Sequence, residues 1–210
     1  MDDFILELPN FVPEAFCKHL IKKFESDDRK KDGIVVVGSE ERVIPELKNS
    51  VEIFISDLKD WEKENQELRY FLSKAVIYYN NRLKTIFKYN QSIQPFDMFI
   101  NNPMGGTGYS IQKQKRGSKY AWHFDGELES SDRPDAPYLF MIMYLNTLEP
   151  HEEGQTEFSN GRKIRPECGK IMMCPASWTF PHCGNEVKAD NKYILTVGVN
   201  VYCPISPTKS

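Results

Sequence analysis

Four side chains in the second half of the chain have the types and spacing for redox chemistry on a metal. His123 and Asp125 stand two apart in GSKYAWHFDGE, His182 follows in TFPHCGNEV, and Lys192 lies beyond it. Two neutral imidazoles and one carboxylate can occupy one face of an octahedral iron(II) ion. Three adjacent positions then remain for a chelating cosubstrate and dioxygen, which points to an oxygenase. In a strand, residues i and i+2 point the same way, so His123 and Asp125 can reach one ion while Phe124 faces away. The third ligand has to come from elsewhere, because the next same-face residue of an unbent strand lies too far along to wrap the metal. His182 suits that role. An isolated His-x-Asp is weak evidence, being an ordinary surface ion pair at least as often as a pair of ligands. Its companions are what give it force.

Those companions need a scaffold. The segment KYILTVGVNVY alternates: Tyr193, Leu195, Val197, Val199 and Val201 form a continuous apolar face, and Lys192, Ile194, Thr196, Gly198 and Asn200 a smaller, mixed one suited to lining a cavity. A lysine at the start of that face is costly to bury alone, but the carboxylate of a small dicarboxylate chelating the metal could keep it charged. From Phe96 onward short β-like runs recur at 96–101, 108–115, 120–124, 138–146, 154–158, 169–174, 178–181 and 192–202. NPMGGTG, ESSDRPDAP, EPHEEG and SNGR supply the turns between them.

The first half is helical after an opening strand of alternating Phe4, Leu6 and Leu8. Pro13 starts a first helix whose Ala15, Phe16, His19, Leu20 and Phe24 recur at helical spacing before the charged run 26–32. The apolar run 34–37 and the polar stretch through Lys48 either cover a pocket or connect elements. Ile53, Ile55 and Leu58 predict a second helix over 49–62, and Leu68, Phe71, Leu72, Ala75, Val76, Tyr79, Leu83, Ile86 and Phe87 a long one over 66–89. Eight short strands after a helical layer predict an α+β fold: a jelly roll or sandwich flanked on one side by helices.

A chain of 210 residues with 40% hydrophobic residues is sized for one domain with a sizeable core. A formal charge of -3, from 27 basic and 30 acidic residues, supplies no general attraction to nucleic acid or anionic membranes. Cys17, Cys168, Cys174, Cys183 and Cys203 are odd in number and scattered, so neither a disulfide framework nor a zinc site is expected. MDDFILELPNF lacks a basic start and a long apolar run, and a cytoplasmic setting is expected.

The ordered pattern GSKYAWHFD, MIMYLN, EEGQTEF, IMMCPASWTFPHCGNEV and NKYILTVGVNV resembles the iron(II)- and 2-oxoglutarate-dependent dioxygenases, in particular their prolyl 4-hydroxylase-like branch. The likeness runs from about residue 105 to 203, and FVPEAFCKHLIKKFE resembles that branch's first helix. The resemblance implies a cupin-like double-stranded β-helix, with N-terminal helices packed on its major sheet. One domain would fill 1–210, helix-rich over 1–92 and with the catalytic core over 93–205.

It also implies Fe(II) held by His123, Asp125 and His182, with 2-oxoglutarate anchored on Lys192, dioxygen as oxidant and ascorbate as candidate reductant. Family members usually carry a tyrosine nine residues before the first ligand; here Gly117, Tyr120 and His123 keep register but position 114 is Gln114. The Gln114 amide, Tyr109 or Tyr144 could supply that cosubstrate contact. Thr156 matches a pocket-lining threonine, and Tyr120 and Trp122 are substrate-side candidates.

The implied reaction is hydroxylation of an unactivated carbon with release of succinate and CO2, peptidyl proline being one substrate. A free amino acid or other small metabolite is the alternative, and a non-catalytic cupin-like metal-binding protein the rival from another class. Retention of Lys192 argues against that rival. Nothing in the sequence sets an oligomeric state.

Overall fold

The computed structural model describes residues 2–37, 40–86, 104–126 and 137–201. Its first strands are β1 (Leu6–Leu8), β2 (Lys31–Asp32), β3 (Val35–Val37), β4 (Glu40–Arg42), β5 (Val51–Phe54) and β6 (Met104–Gly106). Then come β7 (Ser110–Lys115), β8 (Tyr120–His123), β9 (Leu139–Tyr144), β10 (Thr156–Phe158) and β11 (Lys163–Ile164). β12 (Ile171–Pro175), β13 (His182–Gly184) and β14 (Asn191–Val201) complete the set. An eight-stranded sheet runs β1-β12-β9-β14-β7-β5-β2, with β6 paired to the far end of β14. A four-stranded sheet runs β11-β10-β13-β8, and β3 and β4 form a separate hairpin. Every pairing given for these strands is antiparallel.

Side-chain alternation assigns the two faces of the large sheet. Tyr193, Leu195, Val197 and Val199 of β14 join Met141 and Met143 of β9, Ile171 and Met173 of β12, Ile111 of β7 and Ile53 of β5 in one apolar layer. Against it pack α1 (Glu14–Ser26), through Phe16, Cys17, Leu20 and Phe24, and α2 (Glu62–Ile86), through Leu68, Leu72, Ala75, Val76, Tyr79 and Leu83. Each fully buried aliphatic or aromatic side chain there contributes roughly 1.5–3 kcal/mol relative to exposure. The opposite face of the sheet carries Lys192, Ile194, Thr196, Gln112 and Gln114 and looks into a cavity toward the small sheet. α1 ends where Asp27 turns extended, and the Lys30 ammonium donates to the carbonyl of Phe24 at 2.9 Å, meeting a C-terminal orphan acceptor. Before β12, Gly169 takes φ +77° and its carbonyl accepts from the amides of Phe11 and Val12, which ties the start of α1 to the sheet.

Residues 47–49 lead from the small sheet into the large one. Lys48 is bridged antiparallel to Tyr120, and the amide of Ala121 donates to Leu47 O at 2.7 Å, so this stretch extends the edge of the small sheet beyond β8. Two residues later the chain enters β5 of the large sheet.

Several expectations are corrected. The helix expected over 49–62 is strand β5 followed by a 3-10 turn at Lys59–Trp61, because Ile53 and Ile55 are buried at a spacing of two rather than lying on a helical stripe. The long helix starts at Glu62 rather than near 66. Residues 178–181 form a turn, with the amide of Phe180 donating to Ser177 O, and the strand begins at His182. In the opening run Ile5 is the buried residue and Leu6 and Leu8 are half-buried. In α1, Cys17 is buried while Ala15 and His19 are exposed. Asp125 lies just past the end of β8 rather than within it. The strand expected over 96–101, the end of the long helix at 87–89 and the turn at 129–136 lie outside the described residues.

Candidate metal centre

Antiparallel pairing of β13 with β8 puts His182 directly opposite His123. The turn after β8 then returns the Asp125 carboxylate between the rings, with Oδ1 3.8 Å from His123 Nε2 and Oδ2 3.5 Å from His182 Nε2. One donor atom from each of the three lies within 4.8 Å of the others, the spacing of groups around a shared ion. Hydrogen bonds set the imidazole tautomers. His123 Nδ1 lies 2.8 Å from Ala121 O and His182 Nδ1 lies 3.2 Å from Phe180 O. Because a carbonyl only accepts, each Nδ1 carries the proton, and each Nε2 lone pair is left facing Asp125.

Burial tunes all three groups. It pushes the His123 pKa down to about 3, aided by the neighbouring His182, and that of His182 down to about 4, so both rings are neutral at physiological pH. Burial raises the Asp125 carboxyl to about 7, against a lowering influence of Lys48. Its Oδ2 is buried and makes no hydrogen bond among the described residues. A buried carboxylate whose two oxygens each face an unprotonated ring nitrogen, one of them orphaned, fits a divalent cation that would satisfy all three donors.

The triad opens into a cavity of about 180 Å³ lined by both sheets. At the β14 end Lys192 is 1% exposed and has no ion-pair or hydrogen-bond partner among the described residues, and burial pulls its pKa down to about 8. Gln114 stands beside it in register on β7 and is buried, with its Oε1 unpaired among the described residues. Thr156 lines the same end, and its Oγ1 lies 2.8 Å from the Tyr144 hydroxyl. Tyr144 is fully buried and sits behind Thr156 rather than among the lining residues, and Tyr109 is also absent from the lining. Tyr120 lines the metal end, with its ring stacked on His123 at 3.7 Å. Trp122 is 54% exposed and does not line the cavity.

Lys48, Gln112, Phe140 and Ile142 also line the cavity and were not singled out from the sequence. Gln112 and Gln114 had a signal, since they share the alternate face of β7. Lys48 ends the stretch read as covering a pocket or connecting elements, but nothing in that polar loop marks one lysine among several.

Residues 108–199, which carry the triad and Lys192, match the family model of the 2OG-Fe(II) oxygenase superfamily. No curated protein matches the chain by sequence. Among solved structures, the chain is similar to a viral collagen prolyl hydroxylase from Paramecium Bursaria Chlorella virus-1, with TM-score 0.61, 16% identity, and 95% of this chain and 97% of that one covered. It is similar to a prolyl hydroxylase from Trichoplax adhaerens in complex with a hypoxia inducible factor peptide fragment (TM-score 0.67, 16% identity, coverage 95% and 84%). A Pseudomonas putida prolyl-4-hydroxylase gives TM-score 0.64, 14% identity, and coverage of 94% and 92%. The chain is thus prolyl 4-hydroxylase-like in fold.

Proposed function

We propose that this protein is an iron(II)- and 2-oxoglutarate-dependent dioxygenase that hydroxylates a peptidyl proline, releasing succinate and CO2. One observation carries the reading: the triad His123, Asp125 and His182 shares a small cavity with a fully buried lysine that has no partner among the described residues. We further read the two antiparallel sheets as the halves of a double-stranded β-helix, with the helices on the major sheet. The peptide substrate is favoured because the similar structures include a collagen prolyl hydroxylase and a complex with a peptide fragment.

His123, Asp125 and His182 would hold the metal. Bound iron(II) and 2-oxoglutarate would supply an oxidant strong enough for an unactivated C–H bond. The protein's own groups bind and orient. Each Nδ1–H remains donated to its backbone carbonyl, so neither imidazole turns while Nε2 is engaged. Asp125 gives up its proton as a cation arrives, which burial near pKa 7 makes easy at neutral pH. Lys192 provides the counter-charge for the cosubstrate's far carboxylate. If Tyr144 donates its hydroxyl proton to Thr156, the threonine proton is free to point at the same carboxylate. The Gln114 amide stands where other members of the branch carry a tyrosine. Phe140, Ile142 and Ile194 give the cavity apolar walls that limit water.

The test is succinate formation with iron(II), 2-oxoglutarate, ascorbate and a proline-containing peptide library, with substrates read by a mass gain of about 16 Da from one inserted oxygen. Asp125→Ala abolishes turnover and weakens Mn(II) binding by more than about 100-fold, beyond the loss typical of outer-shell changes. Mn(II) binding with wild-type affinity in that variant overturns the assignment. Succinate release with no mass gain on any peptide moves the substrate to small molecules.

A further inference from the structure

We infer that the Lys48–Glu52 ion pair is a positioning device for the metal ligand His123, acting through the ring of Tyr120; this rests on the triad being a metal centre. The two histidines are supported differently. His182 lies on β13, an interior strand of the small sheet, with Phe140 (centroids 5.7 Å apart) and Phe158 (5.5 Å) beside its ring. Phe158 belongs to a buried cluster and Phe140 packs against it, so packing holds this imidazole alongside its Nδ1 contact with Phe180 O. His123 lies on β8, the outermost regular strand, where the neighbouring residues are only half-buried or exposed.

Its support is Tyr120, stacked at 3.7 Å with the planes 20° apart. Tyr120 in turn faces Lys48, its antiparallel bridge partner, whose Nζ is 5.3 Å from the ring centroid, within cation–π range. The ammonium is itself fixed. It lies 2.6 Å from Glu52 Oε1 and donates to Ile34 O at 3.3 Å, and the Ser50 hydroxyl donates to the same Glu52 oxygen at 2.6 Å. Lys48 is 7% exposed, so the pair sits where water screens it little.

The chain of contacts is continuous: Ser50 and Glu52 hold Lys48, Lys48 holds the Tyr120 ring, and Tyr120 holds the face of His123. With Nδ1 bound to Ala121 O, the stacked ring removes the remaining freedom of the imidazole and sets the direction of Nε2. Gly33 offers a handle outside the metal site, since a Cβ there would fall 2.3 Å from Ser50 Oγ and 2.7 Å from Glu52 Oε1. Gly33→Ala therefore displaces the carboxylate without touching Tyr120 or His123.

The test uses the full chain, Mn(II) binding followed by the electron spin resonance of the free ion, and the ligand-field absorption of bound Co(II). Tyr120→Leu is expected to raise the Mn(II) Kd about tenfold, the lower end for outer-shell changes, and Lys48→Met and Glu52→Gln severalfold. Each should also shift the Co(II) bands, which a loss of stability alone would not do. Gly33→Ala gives a smaller change in the same direction, and Tyr120→Phe, which keeps the ring, restores wild-type behaviour. Should Lys48→Met fail to fold, Glu52→Gln and Tyr120→Leu carry the test. Wild-type Mn(II) affinity and Co(II) spectra in Lys48→Met, Glu52→Gln and Tyr120→Leu, beside a loss in Asp125→Ala, overturn the positioning role and leave the metal centre standing. Wild-type binding in Asp125→Ala removes the metal centre and this inference with it.

Discussion

Lys192 and Lys48 line one cavity, at 1% and 7% exposure, and their partners could hardly differ more. Lys48 is neutralised by Glu52 at 2.6 Å, whereas Lys192 has no counter-charge among the described residues and titrates near 8. An ion pair inside a protein can be structural, since each charge offsets the other's desolvation. An unpaired buried cation only costs stability until a ligand arrives with the missing charge. The difference separates the part of the cavity built to hold its shape from the part built to take an anion.

The contrast can be broken most sharply by giving both lysines the same substitution. Lys192→Met should weaken 2-oxoglutarate binding, measured by calorimetry on the Mn(II)-loaded protein, by about 10- to 150-fold. That is the fold equivalent of a charge-assisted hydrogen bond of about 1.5–3 kcal/mol. The same substitution should raise the melting temperature of the metal-free protein, because an unpartnered charge has gone. A lower melting temperature would refute the account of Lys192 as an unsatisfied cation. Lys48→Met should do the reverse to stability, costing about 1–3 kcal/mol in urea unfolding by leaving Glu52 unpaired. Lys48→Met combined with Glu52→Gln should recover part of that loss, and strict additivity would argue against the pair.

A third expectation concerns pH. Below about 8 Lys192 is charged and anion affinity is flat with respect to this group; above 8 the ammonium loses its proton and the affinity falls. Anion binding stabilises the charged form, so near pH 8 the protein should take up a proton as 2-oxoglutarate binds. Titration in two buffers of different ionisation enthalpy measures that uptake, and Lys192→Met should abolish it. The smallest effect is expected from Gln114→Leu, which removes one neutral hydrogen-bonding group beside Lys192. A severalfold loss of 2-oxoglutarate affinity, equivalent to about 1 kcal/mol, is expected. No change would show that the amide faces the cavity without using it.

The legible parts of the fold are those where a local period reports burial. β14 could be read with both faces assigned, because alternation over eleven residues leaves no other arrangement of Leu195, Val197 and Val199 against the helices. α2 was legible for the same reason at helical spacing. The region 47–58 was misleading: Ile55 and Leu58 imitate a helical stripe, as does the spacing of Lys48 and Glu52. Those two charged residues meet as an ion pair because the chain bends as it crosses from one sheet to the other. The turn at 178–181 had apolar residues of strand type, but Ser177 and Thr179 hydroxyls 2.7 Å apart and the Phe180–Ser177 hydrogen bond favour the turn.

By itself the sequence determined the chemical types: two imidazoles, a carboxylate and a lysine at the head of an alternating strand, and with them an antiparallel β core under a helical layer. Those are properties of side chains and of periods two and 3.6, which survive in any local window. Only the tertiary structure decided that His182 faces His123 across β13 and β8, that Gln114 stands beside Lys192, and that Lys48 is paired while Lys192 has no partner among the described residues. Strand register and pairing across distant segments set those outcomes, and no local pattern encodes them. Burial, which places Asp125 near 7 and Lys192 near 8, is likewise a property of everything packed around a group.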